Sequence, residues 1–149
     1  MYQHILVPTD GSELSDKAVK AAIKLANLAG ARLTAFHAIE PYPLQGAYAA
    51  EASGVAELQP EVFAERSEEY AKRVLDAVAT AAAAANVQCA TDYATSRSAS
   101  QAIVDKAIRE NCDLIVMASH GRRGLEGFLL GSETQKVLTH SKIPVLVYR

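Results

Sequence analysis

A chain of 149 residues is the length of one domain, 1–149, and buries about two-thirds of its unfolded surface without help from metals or disulfides. Half of the residues are hydrophobic and 21% are charged, which excludes a disordered or fibrous chain. A net charge of −2 with no dense basic stripe gives little counterion-release drive, so nucleic acid is not an expected ligand.

Ile5, Leu6 and Val7 form a short β-prone run that stops at Pro8, and apolar residues then recur at helical spacing from Leu14 to Leu28. Gly30 stands where a helix C-cap belongs, and Arg32 to Ile39 offers a second strand. Between Glu40 and Leu58, Pro41, Pro43, Gly46 and Gly54 break regular structure and predict an irregular connection. Pro60 suits a first helical turn, after which Phe63, Ser67, Tyr70, Val74, Val78 and Ala81 fall on one helical face. Val87 to Tyr93 reads as a third strand. Ser98 with Gln101 then forms a capping-box pattern opening a helix that carries Ile103, Ala107 and Ile108.

The near-continuous apolar run Leu114 to Met117 is expected of a central parallel strand covered on both faces. Ser132 with Gln135 is a second capping-box pattern, opening a short helix through Val137 and Leu138. Ile143 to Tyr148 makes a last strand, entered through Pro144. Such β-α alternation predicts an α/β fold: an open five-stranded parallel sheet with helices on both faces.

Cys89 and Cys112 have no C-x-x-C spacing, and the first residues lack the basic and long apolar regions of a leader. Reduced thiols and a cytoplasmic location are the expectation. No apolar run reaches spanning length, so membrane insertion is not expected.

In open α/β sheets ligands bind beyond the carboxyl ends of the strands where the strand order reverses. An order 3-2-1-4-5 puts that crevice between the first and fourth strands. After the first comes Pro8-Thr9-Asp10-Gly11-Ser12, and after the fourth Ser119-His120-Gly121-Arg122-Arg123-Gly124, continuing to Gly131-Ser132 at a helix start. Glycines let backbone N–H groups approach a ligand closely, and a helix start adds unpaired donors and partial positive charge; both favour phosphate. Ser132 can add a hydroxyl and Arg122 or Arg123 a full charge. The same glycine spacing also reads as a flexible loop with a routine N-cap, and the position at the switch point favours the phosphate site.

Asp10 can accept from ribose hydroxyls, can help hold Mg²⁺ with phosphate oxygens, or can simply cap the following helix. No G-x-x-x-x-G-K-[ST] and no G-x-G-x-x-G is present, so the phosphate site is of another kind. His4, His37, His120 and His140 show no metal spacing, and only His120 is expected near the site.

Ile5-Leu-Val-Pro-Thr-Asp-Gly-Ser at the start, Asp113-Leu-Ile-Val-Met-Ala-Ser-His-Gly-Arg later, Leu130-Gly-Ser and Ile143-Pro-Val-Leu-Val at the end together resemble a bacterial universal stress protein. The resemblance covers the whole chain. It implies a Rossmann-like fold of the adenine nucleotide alpha hydrolase-like kind. The ATP-binding branch has glycine, two residues, glycine, nine residues, then glycine and serine or threonine; Ala118, Gly121, Gly131 and Ser132 occupy those places. Only Ala118 departs from the pattern. Its methyl is harmless at negative φ and obstructive at positive φ.

By the resemblance, Pro8, Thr9 and Asp10 line the adenosine side with Asp10 on ribose, Ala38 meets adenine through its backbone, and Met117 lies beneath the nucleotide. Ser119, Gly121, Arg122, Gly131, Ser132 and Glu133 surround the phosphates. The ligand implied is ATP, or AMP or ADP, with Mg²⁺ at Asp10. A homodimer through the final strand and a protein or transporter partner are implied as well, the strand's apolar edge supporting the first. Three functions follow: a regulatory ATP-binding module, a slow ATPase or nucleotidyl-transferring enzyme, and a nucleotide-free dimeric stress protein.

Overall fold

A computed structural model describes residues 1–43, 59–121 and 130–149. In chain order the elements are β1 (His4–Pro8), α1 (Glu13–Ala29), β2 (Arg32–Ile39), α2 (Pro60–Ala84), β3 (Cys89–Thr95), α3 (Ala99–Arg109), β4 (Leu114–Ala118), α4 (Ser132–His140) and β5 (Val145–Tyr148). The five strands lie in the order β3-β2-β1-β4-β5, every pair parallel.

The pleat divides the core in two. Ile5, Val7, Leu33, Ala35, Leu114 and Val116 pack toward α1 and α2, with Val19, Ala22, Ile23, Leu75, Val78 and Ala82. Leu6, Phe36, Ile115 and Met117 pack toward α3 and α4, with Ile103, Val104, Ala107 and Val137. β1 and β4 are buried throughout, which is why, apart from the hydrogen-bonded His4, their sequences are apolar at successive positions and not at alternate ones.

The stripe expected on α2 is turned round the helix. Its buried residues are Ala71, Leu75, Val78 and Ala82, whereas Ala81 is exposed and Phe63, Ser67, Tyr70 and Val74 are half-buried. Small Ala71 and Ala82 share the buried face with Leu75 and Val78, and Phe63, Ser67, Tyr70 and Val74 lie at its margin. Ile108, expected on the apolar face of α3, is 59% exposed.

Three helices end in a left-handed residue: Gly30 after α1 (φ 65), Asn86 after α2 (φ 56) and Asn111 after α3 (φ 53). In each case the next N–H reaches back into the last turn, Ala31 to Ala26, Val87 to Ala82 and Cys112 to Ala107. At the other end, Ser12 and Ser98 cap α1 and α3 by accepting from Ser15 and Gln101. The Gln101 side chain donates to Asp105 instead of reaching back, so the Ser98 capping box is only half made. Among the described residues no helix is long and apolar enough to cross a membrane.

Candidate functional site

The strand order reverses at β1, which lies between β2 and β4, so the chain leaves β1 and β4 in opposite directions. Pro8 closes β1, and the Thr9 N–H continues the ladder to Phe36 at 2.9 Å. Beyond it the chain folds on its own side chains. The Gly11 N–H donates to Thr9 Oγ1 at 3.2 Å, the Ser12 N–H to Asp10 Oδ1 at 2.9 Å, and the Ser15 N–H to Ser12 Oγ at 3.2 Å. The cap of α1 is therefore Ser12; Asp10 forms the turn ahead of it with one carboxylate oxygen. Gly11 is left-handed at φ 77.

At the end of β4, Ser119 N–H donates to the Tyr148 carbonyl at 2.8 Å, and Gly131 N–H donates to the Ser119 carbonyl at 2.8 Å. Thr134 Oγ1 donates to the Ala118 carbonyl at 3.0 Å. These bonds seat the first turn of α4 directly on the end of β4. A methyl group at Gly131 would come within 3.1 Å of His120 Cα and 3.3 Å of the Ser119 carbonyl, tighter than an ordinary van der Waals contact, so the close seating favours glycine. Ser119 Oγ and His120 Nδ1 approach to 3.3 Å. Ala118 is 8% exposed and is not among the positive-φ residues described, so its methyl sits in ordinary strand geometry.

The two loops meet at Gly121. A Cβ built there would strike Asp10 Oδ2, so the carboxylate lies against main chain that only glycine leaves bare. Met117 is buried and Ala38 half-buried in the same core cluster, on the α3–α4 face of the sheet. Gly131, not Ser132, is the N-cap of α4, and among the described residues no side chain caps that helix start. Gln135 donates to the Leu130 carbonyl, so the expected Ser132–Gln135 capping box does not form. The first α4 amides thus keep the partial positive charge of a helix N-terminus beside Ser119 and His120.

Glu133 points its charge elsewhere. Its Oε2 accepts from the Ser100 N–H at 2.8 Å at the start of α3, and its Oε1 from Lys136 at 3.0 Å. Burial pushes this carboxyl up, but the bonds from Lys136 and Ser100 outweigh it and hold it below the ordinary glutamate value. What Glu133 offers at the α4 start is its main-chain N–H. Arg122, Arg123 and Gly124 lie outside the described residues.

Two residues near the site went unrecognised in the sequence. His37, expected away from it, is buried, and its Nδ1 donates to the Thr9 carbonyl at 2.8 Å. Tyr70 on α2 donates its hydroxyl to the Asp10 carbonyl at 2.6 Å. For His37 a signal existed: β1 and β2 pair with Pro8 opposite Phe36, so the next pair is Thr9 and His37. For Tyr70, 60 residues from Asp10, none did.

A family model, the universal stress protein family, matches residues 1–149. A universal stress protein of Methanocaldococcus jannaschii is 34% identical over 149 residues, 100% of this chain and 83% of the relative. The solved structure of the protein MJ0577 superposes with a TM-score of 0.80 at 27% identity, covering 99% of this chain and 96% of that one. A universal stress protein solved in complex with cAMP gives a TM-score of 0.73 at 25% identity, covering 99% and 97%.

Proposed function

The chain belongs to the universal stress protein family, and we propose that it is a regulatory module that binds an adenine nucleotide, ATP with Mg²⁺, between the ends of β1 and β4. The observation that carries this reading is the meeting of Asp10 with the bare main chain of Gly121, next to the start of α4, whose N-cap is a glycine. A carboxylate that accepts from hydroxyls and a cluster of amide N–H groups that donate to phosphate are the two halves of a nucleotide site. The cAMP complex of a relative supports the choice of adenine.

In this reading Pro8, Thr9 and Asp10 line the adenosine side, and Ala38 and Met117 lie along the base. Ser119, His120, Gly121, Gly131, Ser132 and the Glu133 N–H face the phosphates; Arg122, Arg123 and Gly124, which lie outside the described residues, are proposed for the same ligand on their sequence alone. When bound, Mg²⁺ would neutralise phosphate charge beside Asp10. Nucleotide binding favours one conformation over another by its differential affinity, and a protein or transporter partner responds to that surface. The protein works in the cytoplasm as a homodimer joined along β5, and turnover of ATP is slow or nil.

Nucleotide extracted from the denatured purified protein, followed by titration of ATP with and without Mg²⁺, tests the proposal. ATP at about 100 times its dissociation constant stabilises the fold by about 2.7 kcal/mol, so the melting temperature rises. An unchanged melt together with no extracted nucleotide favours the nucleotide-free stress protein. Fast hydrolysis that Asp10→Ala removes favours the enzyme.

A further inference from the structure

We propose that His37 and Tyr70 are positioning residues that aim Asp10, and that they thereby set the site's preference for a ligand with intact ribose hydroxyls. The inference rests on the nucleotide reading above and deepens it.

The loop after β1 hangs from two main-chain carbonyls, and each is held by a side chain from another element. From β2, the buried ring of His37 donates through Nδ1 to the Thr9 carbonyl at 2.8 Å. The acceptor is a carbonyl, so Nδ1 carries the proton. From α2, the Tyr70 hydroxyl donates to the Asp10 carbonyl at 2.6 Å. The two rings meet edge-on, centroids 5.7 Å apart, and Arg73 lies over the Tyr70 ring at 5.4 Å. Each donor steadies the other's ring.

The Asp10 carbonyl belongs to the peptide that joins Asp10 to Gly11. Glycine populates both signs of φ, so Gly11 by itself sets no orientation for that peptide plane. Here Gly11 is fixed at φ 77 and lies so close to α2 that an added Cβ would strike the Tyr70 hydroxyl and come within 2.9 Å of Val74 Cγ2. The Tyr70 hydrogen bond to its carbonyl, with the bond from the Gly11 N–H to Thr9 Oγ1 at 3.2 Å on its other edge, holds one orientation of a permissive peptide. The Asp10 side chain follows its main chain: Oδ1 accepts from the Ser12 N–H at 2.9 Å, which leaves Oδ2 against Gly121. Rotation of the peptide would turn that carboxylate away from the crevice. A site that reads hydroxyls with a charged acceptor discriminates strongly, provided the acceptor stays in place.

The test compares ATP with 2′,3′-dideoxy-ATP by calorimetric titration of wild type, Tyr70→Phe, His37→Leu and His37→Asn. Wild type is expected to prefer ATP. Tyr70→Phe and His37→Leu are expected to lose roughly three- to tenfold of that preference, the net worth of one hydrogen bond, while dideoxy-ATP binds as before. His37→Asn restores the preference, because its amide N–H stands where Nδ1–H stood. A general loss of packing would weaken both ligands alike, and that result overturns the inference. So does a preference unchanged in Tyr70→Phe, or absent in wild type. Failure of wild type to bind either ligand removes the nucleotide reading itself, a distinct outcome. Should His37→Leu fail to fold, Tyr70→Phe, which deletes a single oxygen, carries the comparison.

Discussion

Gly121 and Gly131 lie in the same crevice and answer to different forces. Among the described residues, a new methyl at Gly121 meets the tip of the Asp10 carboxylate, which can swing aside, so Gly121→Ala should leave stability nearly unchanged and weaken nucleotide binding. At Gly131 the methyl meets the His120 main chain at 3.1 Å, which must shift by a few tenths of an ångström to admit it, so Gly131→Ala should cost about 1–3 kcal/mol of stability. Denaturant melts and ATP titrations on the two variants should separate in this way; equal stability losses would count against the crevice as described. Both glycines and Asp10 were legible in the sequence from their position after β1 and β4. Which oxygen of Asp10 faces Gly121 was not, because it depends on a contact between residues 111 positions apart in the chain. A second residue-scale effect concerns pH. Burial, helped by Arg32, pushes the His4 pKa below 6.5, against the opposing pull of the Glu110 carbonyl and the Glu110 and Asp113 charges. His4 donates to that carbonyl through Nδ1 and meets Thr34 Oγ1 at 2.8 Å through Nε2, so the neutral ring is fully bonded. Between the folded value and 6.5 the unfolded chain binds more protons, so stability is present above 6.5 and is lost as pH falls through the folded value. Urea midpoints should drop across that window, and His4→Gln should flatten the step. Buried Cys112, pushed up to about 11, stays a thiol throughout.

At the scale of the elements, the helix ends were the least legible features. Gly30 announces its left-handed cap, but Asn86 and Asn111 do the same work after α2 and α3 without announcing it. A left-handed non-glycine residue costs about 1–2 kcal/mol, which asparagine's short polar side chain partly offsets. Asn86→Gly and Asn111→Gly should therefore hold or raise stability, and the alanine variants should lower it by about 1 kcal/mol, as read from urea denaturation. The bounds of β2 were fully legible, since Arg32 to Ile39 follows the Gly30 cap with Leu33, Ala35 and the apolar end Ala38-Ile39. The buried face of α2 was legible only at Val78: alanine weighs little in a hydrophobic pattern, yet Ala71 and Ala82 are buried beside Leu75 and Val78. At α4 the pattern Ser132–Gln135 pointed to a capping box, and the seating of Gly131 on Ser119 moved the cap one residue earlier. Tertiary contact overrode a local signal at the very helix start on which the phosphate reading depends.

For the whole molecule, the alternation of strands and helices was enough to place the crevice, because a parallel sheet with right-handed crossovers leaves few topologies open. Its outer edge at β5 carries Leu146, 42% exposed, on a strand whose other side pairs with β4. In the proposed dimer that edge is covered, so Leu146→Lys should shift the sedimentation of a homodimer toward the monomer while the melt stays cooperative. The central claim, that Asp10, Gly121 and the α4 start form one adenine-nucleotide site, is met most directly by calorimetric titration of ATP and Mg²⁺ into wild type and Gly121→Val. Saturable binding near one nucleotide per chain, weakened at least tenfold by the valine, is the predicted result. Wild type that takes up no ATP, or a valine variant that binds as tightly as wild type, would contradict it.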